Sequence, residues 1–208
     1  QADIDKSLNN AHRQILFLSE MINDLATLSK AETSKNKIEI EKFTVDEILN
    51  ELDISFRPKA DEKALTFSIK IEPGLPEMKT SKLYVKDILQ NLISNAIKYT
   101  QKGGVEVLAS KASEGMVIFA IKDTGMGITK AEQSKLFQKF WRSEDIHTRE
   151  TEGTGLGLYI TAKLAKELGA TVKVESVKDK GSTFSVIIPA VVNSSGSGVE
   201  VIEKKADL

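Results

Sequence analysis

The sequence predicts an α+β sandwich preceded by one long bundle or coiled-coil helix. Three observations carry this. A heptad-like apolar seam fills the first thirty residues. Stretches of period two and period three to four then mix without strict alternation, which suits a mixed sheet with helices covering one face. The 208 residues provide enough chain for one domain with a real core plus an appendage.

Ile4, Leu8, Ala11, Ile15, Leu18, Ile22 and Leu25 follow one another at steps of three and four, and Phe17, Met21 and Leu28 widen the stripe. A stripe this broad predicts a helix from Ile4 to about Ala31 with more than one neighbour. The polar run Glu32 to Lys37 reads as a hinge. Ile38 to Phe43 alternates as a strand, and Thr44 with Glu47 forms the pattern of a capping box opening a helix towards Lys59. Leu65 to Ile71 alternates again, and Pro73-Gly74-Leu75-Pro76 is a turn. Thr80 or Ser81 caps a helix to about Tyr99, ended by Gly103-Gly104. Two strands follow, Val105 to Ser110 and Met116 to Lys122, joined by a hairpin turn at Ser113-Glu114-Gly115. A short helix is expected from about Lys130 to Lys139, then a polar segment from Ser143 to Glu152, a helix from Gly155 to Leu168, and strands Val172 to Val177 and Thr183 to Ile188. Asn193 to Gly198 has the composition of a flexible linker. The domain boundaries expected are 1–34 for a partial dimerisation helix, 35–192 for the sandwich, and 193–208 for a linker and tail.

Composition excludes several classes. Lys and Arg total 29 against 30 Asp and Glu, a balance that gives no electrostatic case for nucleic acid or an anionic membrane. The absence of Cys excludes disulfides and thiolate metal sites. No apolar run approaches the roughly 20 residues that span a bilayer. Walker-type phosphate loops, HExxH and Gly-x-Ser-x-Gly elbows are also missing.

Four segments carry chemistry. Asn91, Asn95 and Lys98, spaced four and three, share one edge of the helix ending at Tyr99. They are either a solvated face or neutral amide oxygens for Mg²⁺, with a lysine one turn on for phosphate. Asp123-Thr124-Gly125-Met126-Gly127-Ile128 stands at a strand end. It is either a structural turn or an acceptor for the exocyclic amine of a base, with glycines admitting the ring. Gly153-Thr154-Gly155-Leu156-Gly157-Leu158 opens a helix, as a plain glycine-rich entry or as an anion site made of unpaired amides. In Leu136 to Arg142 the aromatics Phe137, Phe140 and Trp141 read as core anchors. The planar fork of Arg142 suits phosphate.

Taken along the chain, Asn91 to Thr100, Asp123 to Ile128, Leu136 to Arg142 and Gly153 to Leu158 resemble the N, G1, F and G2 boxes of sensor histidine kinases, and the likeness runs from about Ile4 to Pro189. The resemblance implies the two-layer Bergerat (GHKL) sandwich with ATP and Mg²⁺ as cofactors. It implies that Asn95, with Asn91 beside it, ligates Mg²⁺, that Lys98 and Arg142 contact phosphates, and that Tyr99 lines the nucleotide. Asp123 would hold the adenine amine, with Gly125, Gly127 and Ile128 around the ring. Residues 143 to 152 would form a lid over ATP, and Thr154, Gly155, Leu156, Gly157 and Leu158 the phosphate end. Ile4 to Ala31 resembles the second helix of the dimerisation and phosphotransfer domain.

The family's H box is missing. His12 is followed by Arg13-Gln14 on the seam helix, and His147 lies in the lid segment. Because the chain begins at Gln1, the expectation is a fragment whose acceptor histidine lies upstream, binding Mg-ATP without phosphorylating itself. The implied partners are a response-regulator receiver domain and a second copy in a homodimer, with no nucleic acid. The implied location is the cytoplasmic part of a sensor. The competing reading is a non-kinase nucleotide-binding module or ATPase of the wider GHKL superfamily.

Overall fold

The computed structural model describes residues 2–33, 37–113, 115–143, 153–192 and 200–203. Helix α1 (Ala2–Thr33) is followed by β1 (Lys37–Phe43), α2 (Val45–Glu62), β2 (Thr66–Ile71), β3 (Met78–Thr80) and α3 (Lys82–Tyr99). Then come β4 (Gly104–Ser113), β5 (Met116–Asp123), the single turn α4 (Lys130–Gln133), α5 (Gly157–Glu167), β6 (Thr171–Val177), β7 (Gly181–Pro189) and β8 (Glu200–Glu203).

The main sheet has five strands in the order β2-β4-β5-β7-β6, parallel between β2 and β4 and antiparallel elsewhere. Its central strand β5 alternates strictly: Val117, Phe119, Ile121 and Asp123 are buried, while Ile118 and Ala120 are half-buried and Lys122 is exposed. Side chains two residues apart share a face. Asp123 therefore occupies the last place in a row that is otherwise apolar and packs under the helices. One core joins Val107, Phe119, Ile121 and Val186 of the sheet to Leu49 and Leu52 of α2, Ile88, Leu92 and Ile93 of α3, and Ile160 and Leu164 of α5.

Local chemistry sets the helix ends. The Thr44 hydroxyl accepts from the Glu47 amide at 3.2 Å, and Glu47 returns a bond to the Thr44 amide at 3.2 Å. The reciprocal cap satisfies two donors that α2 would otherwise leave unmatched. Ser81, rather than Thr80, caps α3. At the other end of α3 the Lys63 ammonium donates to the carbonyls of Ile97 (2.7 Å), Lys98 (3.0 Å) and Thr100 (3.3 Å), holding the last turn of that helix in place.

Some expectations needed correction. The stretch expected as a helix to Lys139 is helical only to Gln133 and continues as turns, with Phe140 at φ 62°. The turns bring the Phe140 amide to the Gly155 carbonyl at 3.1 Å, a closure that a straight helix would not reach. Strand β3 was not expected; three residues show too little periodicity to read. It pairs antiparallel with β1, and β8, in the segment read as a tail, pairs parallel with the other edge of β1. Glu114 of the hairpin turn and the linker 193–198 lie outside the described residues. Among the described residues no helix is long and apolar enough to cross a membrane.

Candidate functional site

A cleft opens between α3 and the Gly153–Leu158 segment, floored by the ends of β5 and β7 and reached from the side by α1. Its closed end is built around Asp123, which is 7% exposed. One carboxylate oxygen, Oδ1, accepts from the Gly125 amide at 2.8 Å and the Ser182 amide at 3.2 Å. The second oxygen has no hydrogen-bond partner among the described residues, and the side chain lines the cleft. Burial pushes the carboxyl above its ordinary range, and the two amides pull the other way. An acid held by one oxygen presents the other in a set direction to whatever donor enters.

At the two neighbouring glycines a side chain would clash. A Cβ on Gly125 would stand 2.5 Å from the Tyr99 carbonyl, and one on Gly127 (φ 62°) would stand 2.0 Å from the carbonyl of Val177. Gly127 still lines the cleft, but its missing side chain makes room for the β6–β7 turn. Gly125 does not line the cleft; it curls back to bind Asp123. Gly181 (φ 106°) belongs to the same device, since a Cβ there would meet the Asp123 carbonyl at 2.0 Å.

The open end is polar. Asn91 and Asn95 of α3 line it, and neither side-chain amide has a hydrogen-bond partner among the described residues. Asn91 Oδ1 would be 3.3 Å from a Cβ on Gly157, and Lys98 Nζ 2.7 Å from one on Gly153, so glycines let the two walls approach. The Lys98 ammonium stands 5.6 Å from the Tyr99 ring centroid. Helix α5 begins without a side-chain cap, at Leu156. Its first-turn residues Gly157 and Leu158 line the cleft, at the positive end of the helix dipole. Arg142, Thr154, Gly155 and Leu158 complete the rim. Gly155 (φ 71°) packs on Phe140 and Trp141, 2.9 Å from a carbonyl carbon if it bore a Cβ.

The structure thus gathers Asn91, Asn95, Lys98, Tyr99, Asp123, Gly127, Ile128, Arg142, Thr154, Gly155, Gly157 and Leu158 around one cleft. Leu156 is different: its side chain is fully buried in the core and its amide is taken by the Thr154 hydroxyl at 3.1 Å. Phe140 is 60% exposed and is not the core anchor its type suggested, whereas Trp141 lines the cleft. His12 is exposed on α1, and His147 lies outside the described residues, as does the lid from 144 to 152.

Sequence reading missed four contributors. Asp24 reaches the cleft from α1 and accepts from the Thr154 hydroxyl at 2.5 Å. Ser182 supplies an amide whose role no side-chain type betrays. Glu132 caps α4 through Thr129 and also accepts from the Ser143 hydroxyl. The pattern Thr129-x-x-Glu132 was a legible capping box. Gly181 and Ser182 precede the strand expected from Thr183 and carry no motif of their own.

Fold and cleft together define a Bergerat-type sandwich for a nucleotide. Residues 80–192 match the family described as histidine kinase-, DNA gyrase B-, and HSP90-like ATPase. The chain belongs to this family and forms its ATP-binding domain. It is 33% identical over 193 residues to the aerobic respiration control sensor protein ArcB of Escherichia coli, which covers 91% of this chain and 25% of that protein. It is 34% identical over 182 residues to the signal transduction histidine-protein kinase BarA of the same species, covering 85% of this chain and 20% of BarA. The crystal structure of full-length ShkA in complex with AMPPNP superposes with a TM-score of 0.77 at 25% identity, covering 88% of this chain and 38% of that one. The chain spans a quarter or less of the length of these two curated relatives.

Proposed function

We propose that this chain is the ATP-binding kinase half of a two-component sensor, acting on a histidine that another segment supplies. The observation that carries the reading is the polarity of the cleft: a buried acid with one oxygen unpartnered among the described residues at the closed end, and amides likewise unpartnered among them, beside cations, at the open end. A base bearing an exocyclic amine fits the first, and a triphosphate the second. Adenine satisfies Asp123 with its amine, beside Gly127 and Ile128, and Tyr99 lines the nucleotide. Lys98, Arg142 and the entry to α5 neutralise phosphate oxygens.

The donor set also fits Mg²⁺. Among the described residues no group of three or more acidic, His or Cys side chains could hold a metal by itself. A hard cation that keeps most of its water needs few protein ligands when phosphates supply the charge. Asn95, with Asn91 next to it, offers neutral amide oxygens for that purpose. When bound, the ion would neutralise charge developing between the β- and γ-phosphates.

The reaction breaks the bond from the γ-phosphorus to the bridging oxygen, releases ADP and forms a bond from phosphorus to an imidazole nitrogen, which loses its proton. A receiver-domain aspartate then takes the phosphoryl group. The chain's own residues contribute position and charge neutralisation. Residues 1–34 would pair in the intact protein, because Ile4, Leu8, Ile15, Leu18, Ile22 and Leu25 stay between 46% and 65% exposed along one seam. The non-kinase ATPase reading is disfavoured by Asn91, which puts an amide where water activation would require an acid.

The test is transfer in trans. Incubated with labelled Mg-ATP, the chain should gain no acid-labile label itself but should label a separately supplied H-box helix. Robust steady hydrolysis of ATP with no labelling of that helix would overturn the kinase reading.

A further inference from the structure

Helix α1 presents two stripes. The seam described above is exposed, but Phe17, Met21, Asp24 and Leu28, spaced four, three and four, are at least partly covered. Residues at these steps share one helix face. Leu28 is 4% exposed and belongs to the same core as the sheet and α5. Asp24, one turn before it, is the sole charged member of this stripe. Its carboxylate accepts a hydrogen bond from the Thr154 hydroxyl at 2.5 Å, and that hydroxyl in turn accepts from the Leu156 amide at 3.1 Å. Asp24 lines the cleft beside Lys98, whose charge acts on it, while burial raises its pKa. A negative group thus sits at the end of the cleft richest in amides and cations.

We propose that Asp24 is a built-in competitor of the triphosphate: α1 docked through Phe17, Met21, Asp24 and Leu28 and a nucleotide with its phosphates in place exclude each other. This rests on the nucleotide reading above. A phosphate arriving at Lys98 and the α5 entry meets a carboxylate already there, and two anions in a partly desolvated site repel strongly. Binding of ATP therefore drives Asp24 off Thr154 and frees the last turns of α1. Conversely, any signal that presses α1 onto α5 weakens ATP binding. Adenosine, which has no phosphate, is indifferent to both.

The experiment uses the full chain, with Trp141 as the single tryptophan and a cleft-lining reporter. Fluorescence titration and calorimetry compare adenosine and Mg-ATP for the wild type, Asp24→Asn and Asp24→Ala. Both variants should bind Mg-ATP about tenfold more tightly and adenosine unchanged, since only a charge facing the phosphates is removed. Leu28→Ala, which loosens the docking without touching a charge, should also tighten Mg-ATP, by about twofold to fivefold. In the wild type, Mg-ATP should increase amide exchange between residues 17 and 28. Unchanged affinity in the Asp24 variants, or no effect of Leu28→Ala, would overturn the competition. Weaker Mg-ATP binding in the Asp24 variants would instead make that carboxylate a ligand. If the wild type bound neither adenosine nor Mg-ATP, the nucleotide reading would fall first.

Discussion

The two ends of the cleft are built in different ways. At the closed end Asp123 and its supports come from one sheet and the turn that directly follows β5. Asp123 ends β5, Ser182 stands opposite it in the register of β7, and Gly181 lies tight against its carbonyl. Nothing there needs to move for a base to enter. At the open end the residues arrive on separate segments, with Asn91, Asn95 and Lys98 on α3, Thr154 before α5, Arg142 after the turns that follow α4, and Asp24 on α1. The comparison teaches that the closed end is preorganised by strand pairing, whereas the open end is assembled from segments that can shift independently. On the proposed reading, the base meets the fixed end and the phosphates meet the adjustable one.

Substitutions can test this contrast from both sides. The largest effect is expected at the rigid end from Gly181→Ala. A left-handed φ of 106° and a Cβ 2.0 Å from a backbone carbonyl leave no room, so the variant should lose about 2–4 kcal/mol of stability, read as a lowered thermal midpoint, and bind adenosine poorly. At the movable end Asn95→Ala should leave the thermal midpoint nearly unchanged and weaken Mg-ATP about tenfold to a hundredfold, while adenosine binds as before. Equal losses for both ligands would mean that the two ends do not act separately.

Acid titration sharpens the same division. Burial raises the folded-state pKa of Asp123 above the ordinary aspartate range, so folding favours its neutral form. Its ionisation therefore costs stability as pH climbs from that ordinary range through the raised value, and this cost is absent below that window. Base binding runs the opposite way, because only the carboxylate accepts without also donating. Adenosine affinity should fall as pH drops through the raised pKa, measured by calorimetry against Asp123→Asn, whose residual signal should show no such step. The smallest effect is expected outside the cleft. Thr44→Ala should cost about 1 kcal/mol through the lost cap of α2 and leave both ligands unaffected, as denaturant unfolding and titration would show.

Much of this arrangement could be read from residue order. The seam of α1, the Thr44–Glu47 cap, the polar edge of α3 and an acid closing an alternating strand are local patterns, and local patterns survive without the fold. Three features could not be read because they are set by distant neighbours. Strand β3 is held by pairing with β1 rather than by periodicity. The role of Gly181 depends on its contact with Asp123, far back in the chain. Asp24 looks like any polar residue of an amphipathic helix until α1 is laid on α5 and its carboxylate meets Thr154. At Gly127 the structure supports the structural-turn alternative, since its missing side chain accommodates the Val177 carbonyl. Helix α4 ends at Gln133, and the turns that follow carry the Phe140 amide to the Gly155 carbonyl, a partner distant in the chain.

The central claim is that the free oxygen of Asp123 selects the base. Asp123→Asn keeps the size and, through its amide oxygen, an acceptor for Gly125 and Ser182, but turns a donor towards the cleft and removes a buried charge. Calorimetry of the purified variant with Mg-ATP should show affinity reduced by about a hundredfold or more, with a thermal midpoint equal to or above that of the parent. Undiminished Mg-ATP affinity in a folded Asp123→Asn chain would contradict the assignment.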